Sequence, residues 1–254
     1  MKNLTLLLIL TLYLTSCASR KNLVYFQNST ERFGTVTTNS YTPKFQPDDF
    51  LFIVVYGADD NSTKPFNLPI SNNSTNRGYS IGAPANQGFL INEKGEIDFP
   101  ILGTIKIGGL DRTQAIELFK ERIKPYINNP IINIQIQNFK ITVLGEVRNP
   151  GTFTIPNERI TLLEAIGLAG DLNITGLRNN VLVIREENGQ KKEFKIDLTT
   201  KEVFNSPVYY LNQNDLVYIQ PNQAKANSSL ISAASGIFIS TASLLITMIN
   251  ILTK

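Results

Sequence analysis

From Ser229 to Leu252 the chain runs through 24 residues without a charge, SLISAASGIFISTASLLITMINIL. A helix of that length reaches roughly 36 Å, enough to cross the hydrocarbon core of a bilayer. Ser228 or Ser229 offers it a side-chain N-cap. The segment is not uniformly apolar. Ser232, Gly236, Ser240, Ser243, Thr247 and Asn250 recur at spacings of 4, 4, 3, 4 and 3, which puts them on one helical face. Ile231, Phe238, Leu245, Ile249 and Leu252 fall largely elsewhere. The periodicity admits three arrangements. One is a single-span anchor whose hydroxyls bond back to the helix. The second is a helix–helix contact face of small residues. The third is a ring of helices with the polar stripe toward a water-filled lumen. Asn250 favours the latter two, because an amide in lipid is costly without a partner or water.

The opposite end is equally directive. Met1-Lys2-Asn3 precedes an apolar run from Leu4 to Leu14, then Thr15-Ser16, the layout of a secretory signal peptide. The apolar part falls short of the roughly 20 residues of a membrane span. The lone Cys, Cys17, follows at once, and Leu14-Thr15-Ser16-Cys17 resembles a bacterial lipobox. That resemblance implies a diacylated Cys17 at the mature N-terminus; the plainer alternative is a free or buried thiol in an uncleaved anchor. Ala18 leaves sorting to the outer membrane open.

Composition removes most chemistry before any motif is read. The 254 residues include no His and no Trp, and one Cys cannot form an internal disulfide or a multi-thiolate zinc site. The commonest general base and metal ligand are missing. A net charge of +3, with Lys and Arg scattered, argues against a nucleic-acid partner. Apolar residues at 42% suffice to build cores. No cofactor, metal or catalytic residue is expected. Asp48-Asp49 and Glu186-Glu187 are carboxylate pairs, but neighbours on a strand face opposite ways, so turn or surface roles are expected for them. Glu146 reads as solvated, with a bridge to another subunit as the alternative.

Between the two ends the pattern is that of mixed α/β domains. Residues 18–40 are polar and read as a tether. Phe50 to Tyr56 is an apolar, β-rich run behind the turn Gln46-Pro47-Asp48-Asp49. Residues 57–88 read as a long loop with a short edge strand near Phe66-Asn67-Leu68. Two strands are expected to flank the Lys94-Gly95 turn, and another follows over Ile101–Ile107. Asp111 or Thr113 starts a helix with Ala115, Ile116, Phe119 and Ile123 on one face. Ile132, Ile134 and Ile136 alternate with polar residues as a half-buried strand. A second unit repeats the theme. Strands flank Arg148-Asn149-Pro150-Gly151, and Thr161 with Glu164 forms a capping box for a short helix closed by Gly170. A strand pair brackets Asn188-Gly189, and Leu216–Ile219 ends the unit. Hairpin, helix, then further strands is the order of a β-grasp fold.

Here the residues resemble a known family. Gly95-Glu96-Ile97-Asp98-Phe99-Pro100-Ile101-Leu102-Gly103, with Gly109-Leu110, Ala115 and Pro130, is similar to the polysaccharide export domain of Wza-type outer-membrane proteins. Val143-Leu144-Gly145-Glu146-Val147-Arg148-Asn149-Pro150-Gly151, with Thr161–Ile166 and Asn214–Ile219, resembles the soluble-ligand-binding β-grasp domain that follows it. The resemblance implies an α+β chain: signal peptide 1–16, lipidated tether 17–40, export domain 41–140, one β-grasp (ubiquitin-like) domain 141–224 and a C-terminal transmembrane helix 228–253. It also implies a homo-oligomeric ring in outer-membrane lipid, with Ser232, Gly236, Ser240, Ser243, Thr247 and Asn250 lining a pore. The function expected is export of capsular or exopolysaccharide from the periplasm, driven by an inner-membrane polysaccharide co-polymerase of the tyrosine-kinase type. The alternative is a membrane-anchored binding lipoprotein without channel activity. The chain departs from the family in reading Gln46-Pro47-Asp48-Asp49 where Gln-Pro-Gly-Asp is usual, and in having one β-grasp domain where longer members have two.

Overall fold

The computed structural model describes residues 23–27, 42–69, 87–187 and 189–231, with Leu244, Thr247 and Met248 beyond them. The first unit is organised by alternation. In β1 (Phe50–Tyr56) Leu51, Ile53 and Val55 point inward, and in β5 (Ile131–Ile136) Ile132, Ile134 and Ile136 do the same. The two strands pair antiparallel with Ile53 opposite Ile134, and the short β2 (Phe89–Leu90) joins the other side of β1. A separate hairpin consists of β3 (Glu96–Phe99) and β4 (Gly103–Lys106).

Helix α2 (Arg112–Ile123) covers this sheet. Asp111 caps it: its carboxylate accepts the Gln114 N–H at 2.9 Å, and the Gln114 side chain accepts the Asp111 N–H at 3.0 Å. The i, i+4, i+8 set Ala115, Phe119 and Ile123 is fully buried. Phe119 meets Phe99, and Phe99 meets Phe89, each with ring centroids 5.0 Å apart. Burying Phe119 alone is worth about 1.5–3 kcal/mol.

The second unit is a five-stranded mixed sheet in the order β10-β9-β12-β6-β7. Its strands are β6 (Lys140–Gly145), β7 (Gly151–Thr154), β9 (Gly176–Glu187), β10 (Gln190–Ile196) and β12 (Leu216–Pro221). The first and last, β6 and β12, lie parallel at the centre, Val143 beside Val217, which is the arrangement of a β-grasp fold. Helix α3 (Leu162–Leu168) carries the expected capping box between Thr161 and Glu164 and buries Leu162, Ala165 and Ile166. The two-residue strands β8 (Ile160–Thr161) and β11 (Tyr210–Leu211) pair beside it.

A short connection joins the units and is strapped to both. Asn138 accepts the Phe50 N–H and donates to the Asp48 carbonyl, both at 2.8 Å. Gln213 accepts the Lys140 N–H at 2.7 Å and donates to the Asn138 carbonyl at 2.8 Å. Phe139 between them is 1% exposed, so one buried cluster runs through both units.

Four sequence expectations change. Phe66-Asn67-Leu68 is not an edge strand. Asp59 caps the single-turn helix α1 (Asp60–Thr63), and a 3-10 turn follows over Lys64–Phe66. The Asn67 side chain then bonds both the N–H and the carbonyl of Val55 at 2.8 Å, taking the place a strand backbone would have had. Two strands flank the Lys94-Gly95 turn as expected, β2 and β3, but they do not pair with each other: β2 pairs with β1 and β3 with β4. Asn92 closes that turn by accepting the Lys94 and Glu96 N–H groups. Helix α4 (Gln223–Ile231) begins earlier than Ser228, capped by Asn222, whose Oδ1 accepts the Lys225 N–H at 2.9 Å. The tether reading also misses a contact. Tyr25 and Phe26 dock on the second unit.

Among the described residues no helix is long and apolar enough to cross a membrane. The segment read as a transmembrane helix over 228–253 lies mostly outside the described residues. Leu244, Thr247 and Met248 are helical, with Leu244 70% and Met248 56% exposed.

Candidate functional site

Strand β10 forms one edge of the mixed sheet, and its free edge carries Lys191, Lys192 and Glu193 in solvent. Charges there oppose casual pairing with another strand. An open cavity of about 510 Å³ lies between the end of β10 and the 3-10 turn Lys201–Asn205, lined by Glu193, Lys195, Asp197, Thr200, Glu202 and Ser206 together with Phe194 and Val203. Asp197 is committed locally, accepting the Thr199 N–H and hydroxyl at 2.8 and 2.6 Å. The lining offers carboxylates, hydroxyls and an ammonium over an apolar floor. Those groups suit reversible hydrogen bonding to a polar ligand.

A second assembly lies where the N-terminal arm meets the β-grasp unit. The Tyr25 hydroxyl donates to Asp171 Oδ1 at 2.5 Å, and the Arg178 guanidinium sits over the Tyr25 ring, 5.5 Å from its centroid. Burial, then the bond to Asp171, pushes the Tyr25 phenol above its usual range. Phe26 donates its N–H to the Leu198 carbonyl and stacks on Phe204 at 5.3 Å. Arg178 is 7% exposed and, from the start of β9, donates to the carbonyls of Leu172, Asn173 and Gly176, holding the 171–175 loop closed.

The remaining buried charges hold the frame. Glu158, 4% exposed, bonds Arg112 and accepts the Ile136 N–H at 2.5 Å, tying the second unit to the first. Arg185 and Asp215 form a buried two-pronged pair at 2.6–3.1 Å. Asp49 is 1% exposed.

The structure treats the sequence candidates unevenly. Cys17, Ser232, Gly236, Ser240, Ser243 and Asn250 lie outside the described residues; Thr247 is helical and exposed. Asp48 is an exposed turn residue as expected, while Asp49 beside it belongs to the turn but is buried. Glu186 and Glu187 stand on β9, and Lys192 pairs with Glu187 across the hairpin at 2.6 Å. Glu146 is not simply solvated: it accepts the Thr175 hydroxyl at 2.5 Å and lies 3.9 Å from Lys225 of α4. Sequence reasoning passed over Tyr25, Phe26, Asp171, Arg178 and Glu158. The one available signal was the apolar run Leu23-Val24-Tyr25-Phe26 in an otherwise polar stretch.

An export-type sheet-and-helix unit followed by a β-grasp unit defines a two-domain α+β class, and comparison with known proteins gives it relatives. The family model described as polysaccharide biosynthesis/export protein matches residues 37–137, and that of the SLBB domain matches residues 139–219. A protein of Ralstonia solanacearum, the EPS I polysaccharide export outer membrane protein EpsA, is 26% identical over 183 residues, 69% of this chain and 47% of that protein. Its namesake in Ralstonia nicotianae is 30% identical over 97 residues, 37% of this chain and 26% of the relative. The chain thus spans less than half the length of the curated relatives it matches. The two matches lie in the order expected of a polysaccharide export protein, an export domain followed by an SLBB domain, and the chain is similar to such proteins over residues 37–219.

Proposed function

We propose that this chain is a subunit of an oligomeric outer-membrane channel that passes capsular or exopolysaccharide from the periplasm to the cell surface. The observation that carries the reading is the order of parts. An export domain and an SLBB domain are followed directly by α4, and α4 leads into the 24 uncharged residues from Ser229 to Leu252. The relatives' description as outer-membrane polysaccharide export proteins supports both the location and the cargo. Acylation of Cys17 would hold the N-terminus in the same membrane, with the two domains in the periplasm. In a closed ring of copies the stripe Ser232, Gly236, Ser240, Ser243, Thr247 and Asn250 faces water. Hydroxyls and an amide give a hydrated glycan weak, exchangeable hydrogen bonds. The driving energy comes from an inner-membrane co-polymerase.

The cavity beside β10 favours one competing reading, a membrane-anchored binding lipoprotein without a channel. Oligomeric state in mild detergent separates the two: a stable closed ring supports the channel, and a monomer supports the binding lipoprotein. Within the ring, Ser240→Cys should react with a water-soluble thiol reagent. Protection equal to that of a Leu245→Cys control would remove Ser240 from the lumen.

A further inference from the structure

We propose that the 171–175 loop of the β-grasp unit rests on the lipid surface of the membrane, with Ile174 as its apolar contact. This rests on the reading that Cys17 is acylated and that the uncharged tail enters the same bilayer.

Both membrane-directed ends of the chain lean on this one loop. At the N-terminal side Tyr25 bonds Asp171 and lies under Arg178. At the C-terminal side the Asn222 N–H donates to the Thr175 carbonyl at 2.7 Å, and Asn222 then caps α4. Glu146 accepts the Thr175 hydroxyl and faces Lys225 in the first turns of α4. The loop is therefore the point at which the arm arrives and from which the exit helix departs.

Chain length converts this contact into a distance. Seven residues lie between Cys17 and Tyr25, which makes eight steps along the chain. An extended chain covers at most about 3.6 Å per residue, so the acylated Cys lies within roughly 29 Å of the docked ring. The direct path to the export unit is longer, with 24 residues between Cys17 and Thr42. The arm holds the Asp171 end of the β-grasp unit close to the bilayer.

The surface at that end fits a lipid headgroup region. Ile174 is 72% exposed, the highest value among the exposed large apolar residues described, and Leu168 at the end of α3 is 50% exposed. The cationic side chains of Arg148, packed beside Gly170, and Lys225 are exposed at the same end. The acidic groups there are matched: Asp171 accepts the Tyr25 hydroxyl under the Arg178 guanidinium, and Glu146 faces Lys225. An exposed Ile174 and Leu168 with Arg148 beside them suit the boundary between headgroups and acyl chains.

The test uses the full-length acylated chain in vesicles of phosphatidylethanolamine and phosphatidylglycerol. The sulfur of Cys17 is blocked by the thioether to its diacylglyceryl group, so Ile174→Cys can be labelled alone with an environment-sensitive fluorophore. A Leu90→Cys chain, labelled on the export unit where Leu90 is 57% exposed, serves as the reference. We expect blue-shifted emission at 174, quenched at least twofold by headgroup-level spin-labelled lipid, and neither effect at 90. A chain that floats with the vesicles while position 174 stays water-like and unquenched overturns this proposal alone. A chain that does not float, or whose mass lacks the acyl group, overturns it together with the anchoring reading.

Discussion

Asp49 and Asp215 hold the same place in two copies of one turn. In the first, Asp49 Oδ2 accepts the Gln46 N–H at 2.8 Å, the Asp49 N–H donates to the Gln46 carbonyl, and Asp48 has φ +69°. In the second, Asp215 Oδ2 accepts the Asn212 N–H at 2.7 Å, the Asp215 N–H donates to the Asn212 carbonyl, and Asn214 has φ +64°. Each turn delivers the chain into a central strand, β1 or β12. The copies differ in one respect: Asp215 is met by Arg185, whereas Asp49 Oδ1 is buried without a hydrogen-bond partner.

That difference makes Asp49 a source of pH dependence. Burial pushes its carboxyl up to about 7, against the Gln46 N–H, with the nearby Glu158 and Asp48 carboxylates adding to the rise. In the unfolded chain the same group ionises near 3.8. Between those values the folded state holds a proton the unfolded state has released, so stability falls as pH rises through that window and levels off above it. Asp49→Asn keeps an oxygen for Gln46 and removes the titration. Its unfolding free energy relative to the parent should rise from about pH 4 to pH 7 in denaturant titrations. Parallel curves would mean that Asp49 ionises alike in both states.

Arg185 answers the same question for the second turn. Burial also raises the Asp215 carboxyl, and the Arg185 guanidinium opposes that rise. Arg185→Met leaves a buried carboxylate uncompensated, which costs about 3–5 kcal/mol. Adding Asp215→Asn to it should recover much of the loss. A single variant as stable as the parent would show that the pair contributes nothing to folding.

Glu158 is the tie between the domains. Its backbone is held at φ +54° while its carboxylate reaches across to Arg112 and to the N–H of Ile136. Glu158→Ala strips the acceptor from a buried N–H, a loss of about 1–3 kcal/mol. Limited proteolysis should then cut between the units, near 137–139, faster than in the parent. An unchanged cleavage rate would place the coupling elsewhere, in Asn138 and Gln213.

Much of this frame was legible in the sequence, and the reasons are local. Asp111 with Gln114 and Thr161 with Glu164 are capping boxes that need only neighbours three residues away. Ile132, Ile134 and Ile136 declare their inner face by alternation. What stayed hidden is long-range. Nothing in Glu158 announces a partner on β5, and nothing in Tyr25-Phe26 announces Asp171 and Phe204, because the apolar run 23–26 is too short to show a period. The pairing of β3 with β4 instead of β2 was hidden for a different reason. A Gly in a turn is the usual sign of a hairpin, and here Asn92 uses its side chain to close that turn.

Gly145 carries the sharpest steric prediction. It ends β6 with φ +93°, and a Cβ added to it would lie 2.0 Å from the Ile219 carbonyl oxygen. That oxygen accepts the Glu146 N–H at 2.9 Å, at the end of the parallel β6–β12 pair. A methyl group cannot enter without driving the two central strands apart, and the backbone there is one that L-residues rarely adopt. Gly145→Ala should therefore cost more than about 3 kcal/mol or prevent the β-grasp unit from folding. Gly151→Ala is the matched control. It lies across the same hairpin, opposite Val143, and a methyl group there would meet nothing within 4 Å. Its change should stay within about 0.5 kcal/mol. Equal effects at the two positions would mean that the central pair tolerates separation, and that close approach of β6 to β12 is not what requires glycine at 145.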